Sequence, residues 1–93
     1  MLEHVLRQIR GKVCNNEYIM TLHAEEEMSD DGLNVYDIER CILTGTIVEV
    51  QKDRFTGEQK YRVSGKSVSN TKIETIVKMG ASKKLVIITV YAM

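Results

Sequence analysis

The chain has no proline and no tryptophan among its 93 residues, and it has only two cysteines. Without proline, its turns must rely on glycine, asparagine and aspartate. Cys14 and Cys41 lie far apart and form no CxxC pair, so the sequence offers neither a disulfide framework nor a zinc signature. We expect both to be small, buried or half-buried thiols.

Net charge and long apolar runs are also lacking. Thirteen basic residues balance thirteen acidic ones, which argues against a protein that coats nucleic acids or acidic membranes by charge alone. No apolar run approaches the roughly 18 residues of a membrane-spanning helix. Residues 1–4 lack the basic and apolar pattern that begins a signal peptide, so we expect none. We therefore expect a cytoplasmic protein that does not enter membranes.

What the sequence does contain is the patterning of one α+β domain over residues 1–93. Apolar residues make up 43% of the chain, and β-branched residues are concentrated in its second half. The predicted elements are, in order, an amphipathic helix at 1–13, a short strand or extended segment at 17–22, helices at 22–31 and 35–44, and strands at 46–51, 59–64, 72–79 and 85–91.

The third helix has the clearest start signal. Asn34 is its predicted N-cap, Asp37 completes a variant of the capping box, and Gly45 ends the helix. The four later strands are joined by short connections, which predicts an antiparallel meander with the helices on one face. The first helix is either a flap over the core formed by residues 17–92 or a surface for self-association, which would make a dimer.

No catalytic, phosphate-binding or cofactor motif is present, so we expect no cofactor. The acidic residues between Glu25 and Asp31 form either a solvated helix face or a surface for a metal or partner. His23 is either a capping residue or an acid–base group. A basic run contains Lys52, Arg54, Lys60, Arg62 and Lys66. It could hold an RNA backbone, although interleaved acids equally suit a salt-bridged surface.

The segment Thr21–Leu33, with its His23-Ala24 pair, resembles the opening of domain-of-unknown-function family 4258. The capped helix at 34–40 and the ending Ile88-Thr89-Val90-Tyr91 continue the resemblance, which covers roughly residues 17–92. Members of that family are often read as related to mRNA interferase toxins of the MqsR and RelE type. The resemblance thus implies a RelE-like fold and a metal-independent endoribonuclease. It also implies a small zinc-binding or helix-turn-helix antitoxin-like partner.

The resemblance matches His23 to the family histidine, Tyr91 to its terminal tyrosine and Lys60 to a polar position in its third strand. These three are the proposed catalytic residues. The proposed RNA-binding residues, which come from the basic run, are Lys52, Arg54 and Arg62. The family usually has arginines where this chain has Glu27 and Asp31, and these replacements oppose phosphate binding on that helix. A non-catalytic protein-interaction module therefore stays open as the alternative.

Overall fold

The computed structural model describes residues 2–93, and its chain is α+β as predicted. Three helices accompany one five-stranded mixed sheet. The elements are α1 (Leu2–Cys14), β1 (Tyr18–Met20), α2 (Leu22–Asp30), α3 (Val35–Thr44), β2 (Thr46–Lys52), β3 (Gln59–Lys66), β4 (Lys72–Met79) and β5 (Leu85–Ala92).

The sheet has the strand order β1-β5-β4-β3-β2. Strands β2 to β5 form the predicted antiparallel meander. β1 then adds to the far side of β5 in parallel, with Tyr18 opposite Leu85 and Met20 opposite Ile87. The sequence indicated β1 as an extended segment but did not indicate its partner.

The core lies between the sheet and the helices α1 and α3. α3 supplies Ile38, Cys41 and Ile42, and α1 supplies Ile9 and Val13. All of these are essentially inaccessible to solvent. Because two α1 side chains are part of the core, α1 is an integral layer of the domain, and its use for dimerisation stays a prediction.

α3 ends very close to β3, and two glycines permit this approach. A Cβ atom on Gly65 would lie 2.3 Å from the carbonyl oxygen of Cys41, and one on Gly45 would lie 2.3 Å from that of Ser64. Any side chain at either position would therefore push the helix away from the sheet.

Two strands each carry one extra residue. In β2 the register shifts between Ile47 and Glu49, so Val48 is a bulge. In β5, Ile87 and Thr89 pair with consecutive residues of β4, so Ile88 is the extra residue. Since side chains alternate between faces, each bulge reverses the face on which the following residues lie.

Helix α2 runs along the edge of β5 beyond the end of β1. Glu27 Oε1 accepts a hydrogen bond from the backbone N–H of Val90 at 3.0 Å, and Asp31 Oδ2 accepts one from Ala92 at 3.1 Å. The helix is also fixed at its start, where the Thr21 hydroxyl donates to the carbonyl of the bulge residue Ile88. The carboxylates of Glu27 in α2 and of its C-cap residue Asp31 thus take the place of a neighbouring strand.

The predicted capping of α3 is confirmed, whereas the predicted end of β3 and the predicted burial of Cys14 need correction. Asn34 and Asp37 form the predicted capping box. β3 continues to Lys66, two residues beyond the predicted strand at 59–64. Cys14 is exposed rather than half-buried, because it lies at the outer end of α1. Cys41 is buried as predicted, and this burial raises the pKa of its thiol to about 12.

Within the part of the chain that the structure describes, no helix has the length and apolar character needed to cross a membrane.

Candidate functional site

The face of the sheet turned away from α1 and α3, called here the open face, carries a cluster of charged side chains. Its centre is Arg62 in β3, with Glu49 directly opposite in β2. Glu74 of β4 lies opposite Tyr91 of β5. These four residues are called the Arg62 cluster below.

Arg62 is held between two carboxylates. Its Nη1 donates to Glu74 Oε1 at 3.3 Å, and its Nε lies 3.2 Å from Glu49 Oε1. The second contact is an ion pair without hydrogen-bond alignment, so the buried Nε has no hydrogen-bond partner among the described residues. The Tyr91 hydroxyl raises the pKa of Arg62 most, and the two carboxylates raise it further. The guanidinium is therefore charged and held between carboxylates from the two neighbouring strands.

The two bulges are what assemble this cluster. Strict alternation from Ile47 and Ile87, which face the helices, would place Glu49 and Tyr91 on the helix side of the sheet. The extra residues Val48 and Ile88 turn both side chains to the open face, beside Arg62. Bulges that redirect side chains in this way are over-represented next to active sites.

Lys60 lies on the same face, two residues before Arg62 and opposite Gln51. Lys78 also lies on the open face, but its ammonium is 3.1 Å from a Glu58 carboxylate oxygen. Around the Arg62 cluster, the open face thus carries Arg62 between two carboxylates, Lys78 in an ion pair, and Lys60, which has no carboxylate partner among the described ion pairs.

The other proposed RNA-binding residues are elsewhere. Lys52 pairs with Gln59 and, by strand alternation, faces away from Lys60. Arg54 lies in the exposed β2–β3 connection. The structure therefore does not bring Lys52 and Arg54 into the Arg62 cluster, and their role in RNA binding stays a prediction.

His23 lies on α2 with its side chain two-thirds exposed. Its Nε2 is 3.3 Å from Glu27 Oε1, the same oxygen that accepts the backbone N–H of Val90. No contact between His23 and the Arg62 cluster is present among the described hydrogen bonds and ion pairs. His23 is therefore linked to β5 beside Tyr91 but stands apart from Arg62.

Glu49 and Glu74 were not identified from the sequence as site residues. Glu74 was the one available signal, because it is the single acid within the predicted strand Lys72–Met79. A buried carboxylate there requires a cationic partner, and Glu74 is 6% exposed. Within residues 2–93, no group of three or more His, Cys, Asp or Glu side chains is arranged to hold a metal ion.

The fold and this cluster define a class: a small α+β domain with a bulged, four-stranded antiparallel meander whose free face bears a charged site. A family model matches residues 20–92, and its description is Domain of unknown function (DUF4258). The chain belongs to this family, and α1 lies entirely outside the matched segment. Neither the curated proteins nor the solved structures gave a match to this chain.

Proposed function

We propose that this protein is a metal-independent endoribonuclease of the toxin type, with its site on the open face. The observation that supports the proposal is the Arg62 cluster, in which two separate bulges turn an acid and a phenol toward one arginine. Bulges often re-aim side chains next to active sites, and this supports a catalytic role for the redirected Glu49 and Tyr91.

The reaction needs a base, a stabiliser of negative charge and an acid. The side chain of Glu49 is 44% exposed, whereas that of Glu74 is 7% exposed. We therefore assign Glu49 to accept the proton of the ribose 2′-hydroxyl. The 2′-oxygen then attacks phosphorus, and the bond from phosphorus to the 5′-oxygen breaks. The products are a 2′,3′-cyclic phosphate and a 5′-hydroxyl, whose proton comes from Lys60.

Arg62 would bind the phosphate and neutralise the charge that develops on it. Tyr91 would orient the phosphate through its hydroxyl. The two carboxylates beside Arg62 reduce its attraction for RNA, so Lys60 is required as a second cation. Glu74 would act as a positioning residue, because it is buried and holds the guanidinium through Nη1.

The test is cleavage of labelled single-stranded RNA in the presence of a chelator, with Tyr91→Phe, Lys60→Gln and Arg62→Lys as variants. Loss of a general acid or of an oriented charge should lower the rate by roughly 100-fold or more. Melting temperatures should remain close to that of wild type for Tyr91→Phe. The cyclic phosphate should be the product, and RNA with 2′-deoxyribose should be resistant.

The chain offers matched controls. Tyr36→Phe removes a hydroxyl from a tyrosine that is 67% exposed on α3, and it should leave cleavage unchanged. His4→Asn is the control for His23→Asn, since His4 is exposed on α1. Equal, negligible cleavage by wild type and all variants, with folded protein throughout, would refute the ribonuclease proposal. A loss confined to His23→Asn would move the site to the β5 edge.

A non-catalytic protein-interaction module is the second candidate, and one observation favours it. β2 is the outer strand of the sheet beside β3 only, and the adjoining connection presents Phe55, which is 96% exposed. An unpaired strand edge beside an exposed aromatic side chain suits pairing with an extended segment of another protein. A small zinc-binding or helix-turn-helix antitoxin-like protein is the partner that we propose in either case.

A further inference from the structure

A cavity of about 380 Å³ lies at the end of the sheet where α3 leads into β2 and where β3 and β4 are joined. Three cationic side chains, Arg40, Lys66 and Lys72, line it, and none of its lining residues is acidic. The cavity shares no residue with the Arg62 cluster, so a ligand bound there is independent of the proposed ribonuclease activity.

Two of these cations stand where they repel each other. Lys66 of β3 and Lys72 of β4 are directly opposite in the ladder. Like charges in this position destabilise a sheet. Lysines often protect the outer strands of a sheet, but β3 and β4 are internal strands. None of the three cations is in an ion pair with a carboxylate within residues 2–93. An anionic ligand would remove this repulsion.

The helix dipole places partial negative charge at the C-terminal end of α3, which would repel an anion. Arg10 of α1 neutralises this charge. Arg10 of α1 donates from Nε to the carbonyl of Ile42 at 3.2 Å and from Nη2 to that of Gly45 at 2.7 Å. The carbonyl of Cys41 accepts the N–H of Gly45. The helical carbonyls of Cys41 and Ile42 are therefore occupied, and a positive charge lies beside the end of the helix.

The remaining lining is polar and contains no aromatic ring. Hydroxyl groups come from Thr44, Thr46 and Ser64, and an amide comes from Asn70. The absence of an aromatic ring leaves no surface on which a base would stack. The volume is in the range of pockets for small organic molecules, so it exceeds the needs of a phosphate group alone.

We infer that this cavity binds the phosphate of a phosphorylated sugar, with Arg40, Lys66 and Lys72 on the phosphate and the hydroxyl groups on the sugar. A ribose phosphate has the required chemistry, because it combines a dianion with several hydroxyls and no aromatic ring. Arginine and lysine are the side chains that bind phosphate most often in proteins.

The test is thermal unfolding of the full chain at constant ionic strength with ribose 5-phosphate, inorganic phosphate, ribose or chloride. Ribose 5-phosphate should raise the melting temperature most, since a ligand that binds only the native state stabilises it. Lys72→Gln should raise the melting temperature without ligand, because the opposed charges are gone. It should also weaken binding of ribose 5-phosphate by about tenfold or more.

Lys84→Gln is the matched control, since it removes one exposed lysine from the β4–β5 turn, and it should keep the full response. Circular dichroism reports whether each variant is folded. Equal melting temperatures in ribose 5-phosphate and chloride would overturn the inference, as would an undiminished response of the double variant Lys66→Gln/Lys72→Gln. Equal responses to ribose 5-phosphate and inorganic phosphate would refute the assignment of the sugar.

Discussion

Glu27 should contribute to stability as an acceptor for a backbone N–H rather than as a surface charge. Its Oε1 is 3.0 Å from the N–H of Val90, a residue that is fully buried. Replacing Glu27 with methionine keeps the length and helix propensity of the side chain but removes the acceptor. The donor would then be left without a partner at the edge of the sheet.

Losing such a partner lowers the free energy of unfolding by about 1–3 kcal/mol when the remaining group is shielded from water. For a domain of this size each kcal/mol lowers the melting temperature by roughly 4–8 °C. Glu27→Met should therefore lower the melting temperature by roughly 4–24 °C. Glu27→Gln keeps an oxygen acceptor and should cost less than about 1 kcal/mol. The pairing of Glu27 with His23 adds little, because the histidine is largely exposed.

Thermal and denaturant unfolding measure the stabilities, and hydrogen exchange at the Val90 amide measures the local effect. Exchange at that amide should accelerate in Glu27→Met and much less in Glu27→Gln. Glu25→Met is the control, since Glu25 is exposed on the same helix and makes no described hydrogen bond through its side chain. If Glu27→Met and Glu25→Met had the same melting temperature, the backbone-acceptor role would be wrong.

Three further predictions follow from other contacts. Gly65→Ala should destabilise the protein by about 1–3 kcal/mol in denaturant unfolding, because its methyl group would collide with a backbone carbonyl of α3; wild-type stability would contradict the close approach. A thiol reagent should label Cys14 rapidly in the native protein and Cys41 only after unfolding, because Cys41 is buried with its pKa raised to about 12; two fast thiols would contradict this. Burial and a hydrogen bond to Glu39 raise the pKa of Tyr18 to about 12. Wild type should therefore be more stable than Tyr18→Phe below about pH 10, and this advantage should disappear as the pH rises through 12; a pH-independent difference would refute it.

The parts of the fold that depend on local sequence were predictable. The capping box of α3 involves residues three positions apart, and Gly45 ends the same helix. The meander follows from short connections between successive strands. The parallel pairing of β1 with β5 was not predictable in this way, because Tyr18 and Leu85 are far apart in the chain and no turn joins them.

The candidate site was predictable only in part, because it depends on register. Arg62 and Tyr91 were singled out from the basic run and from the family resemblance, and the structure brings them together. Glu49 could not be assigned to the site from the sequence, because strict alternation without the bulge at Val48 would place it on the helix side of the sheet. Glu27 and Asp31, which stand where the family usually has arginines, were predicted to oppose RNA binding by α2. Their role as backbone acceptors requires the position of α2 beside β5.

The placement of α2 has a consequence for how chains could assemble. On one side the sheet ends in the three residues of β1 and in carboxylates that already occupy the next N–H groups of β5. Within residues 2–93, β2 is thus the one long strand with an outer edge available to another chain. Polymerisation by strand addition needs two such edges on every molecule. Pairing through β2 would therefore terminate after a single addition, which gives a discrete complex rather than a fibre.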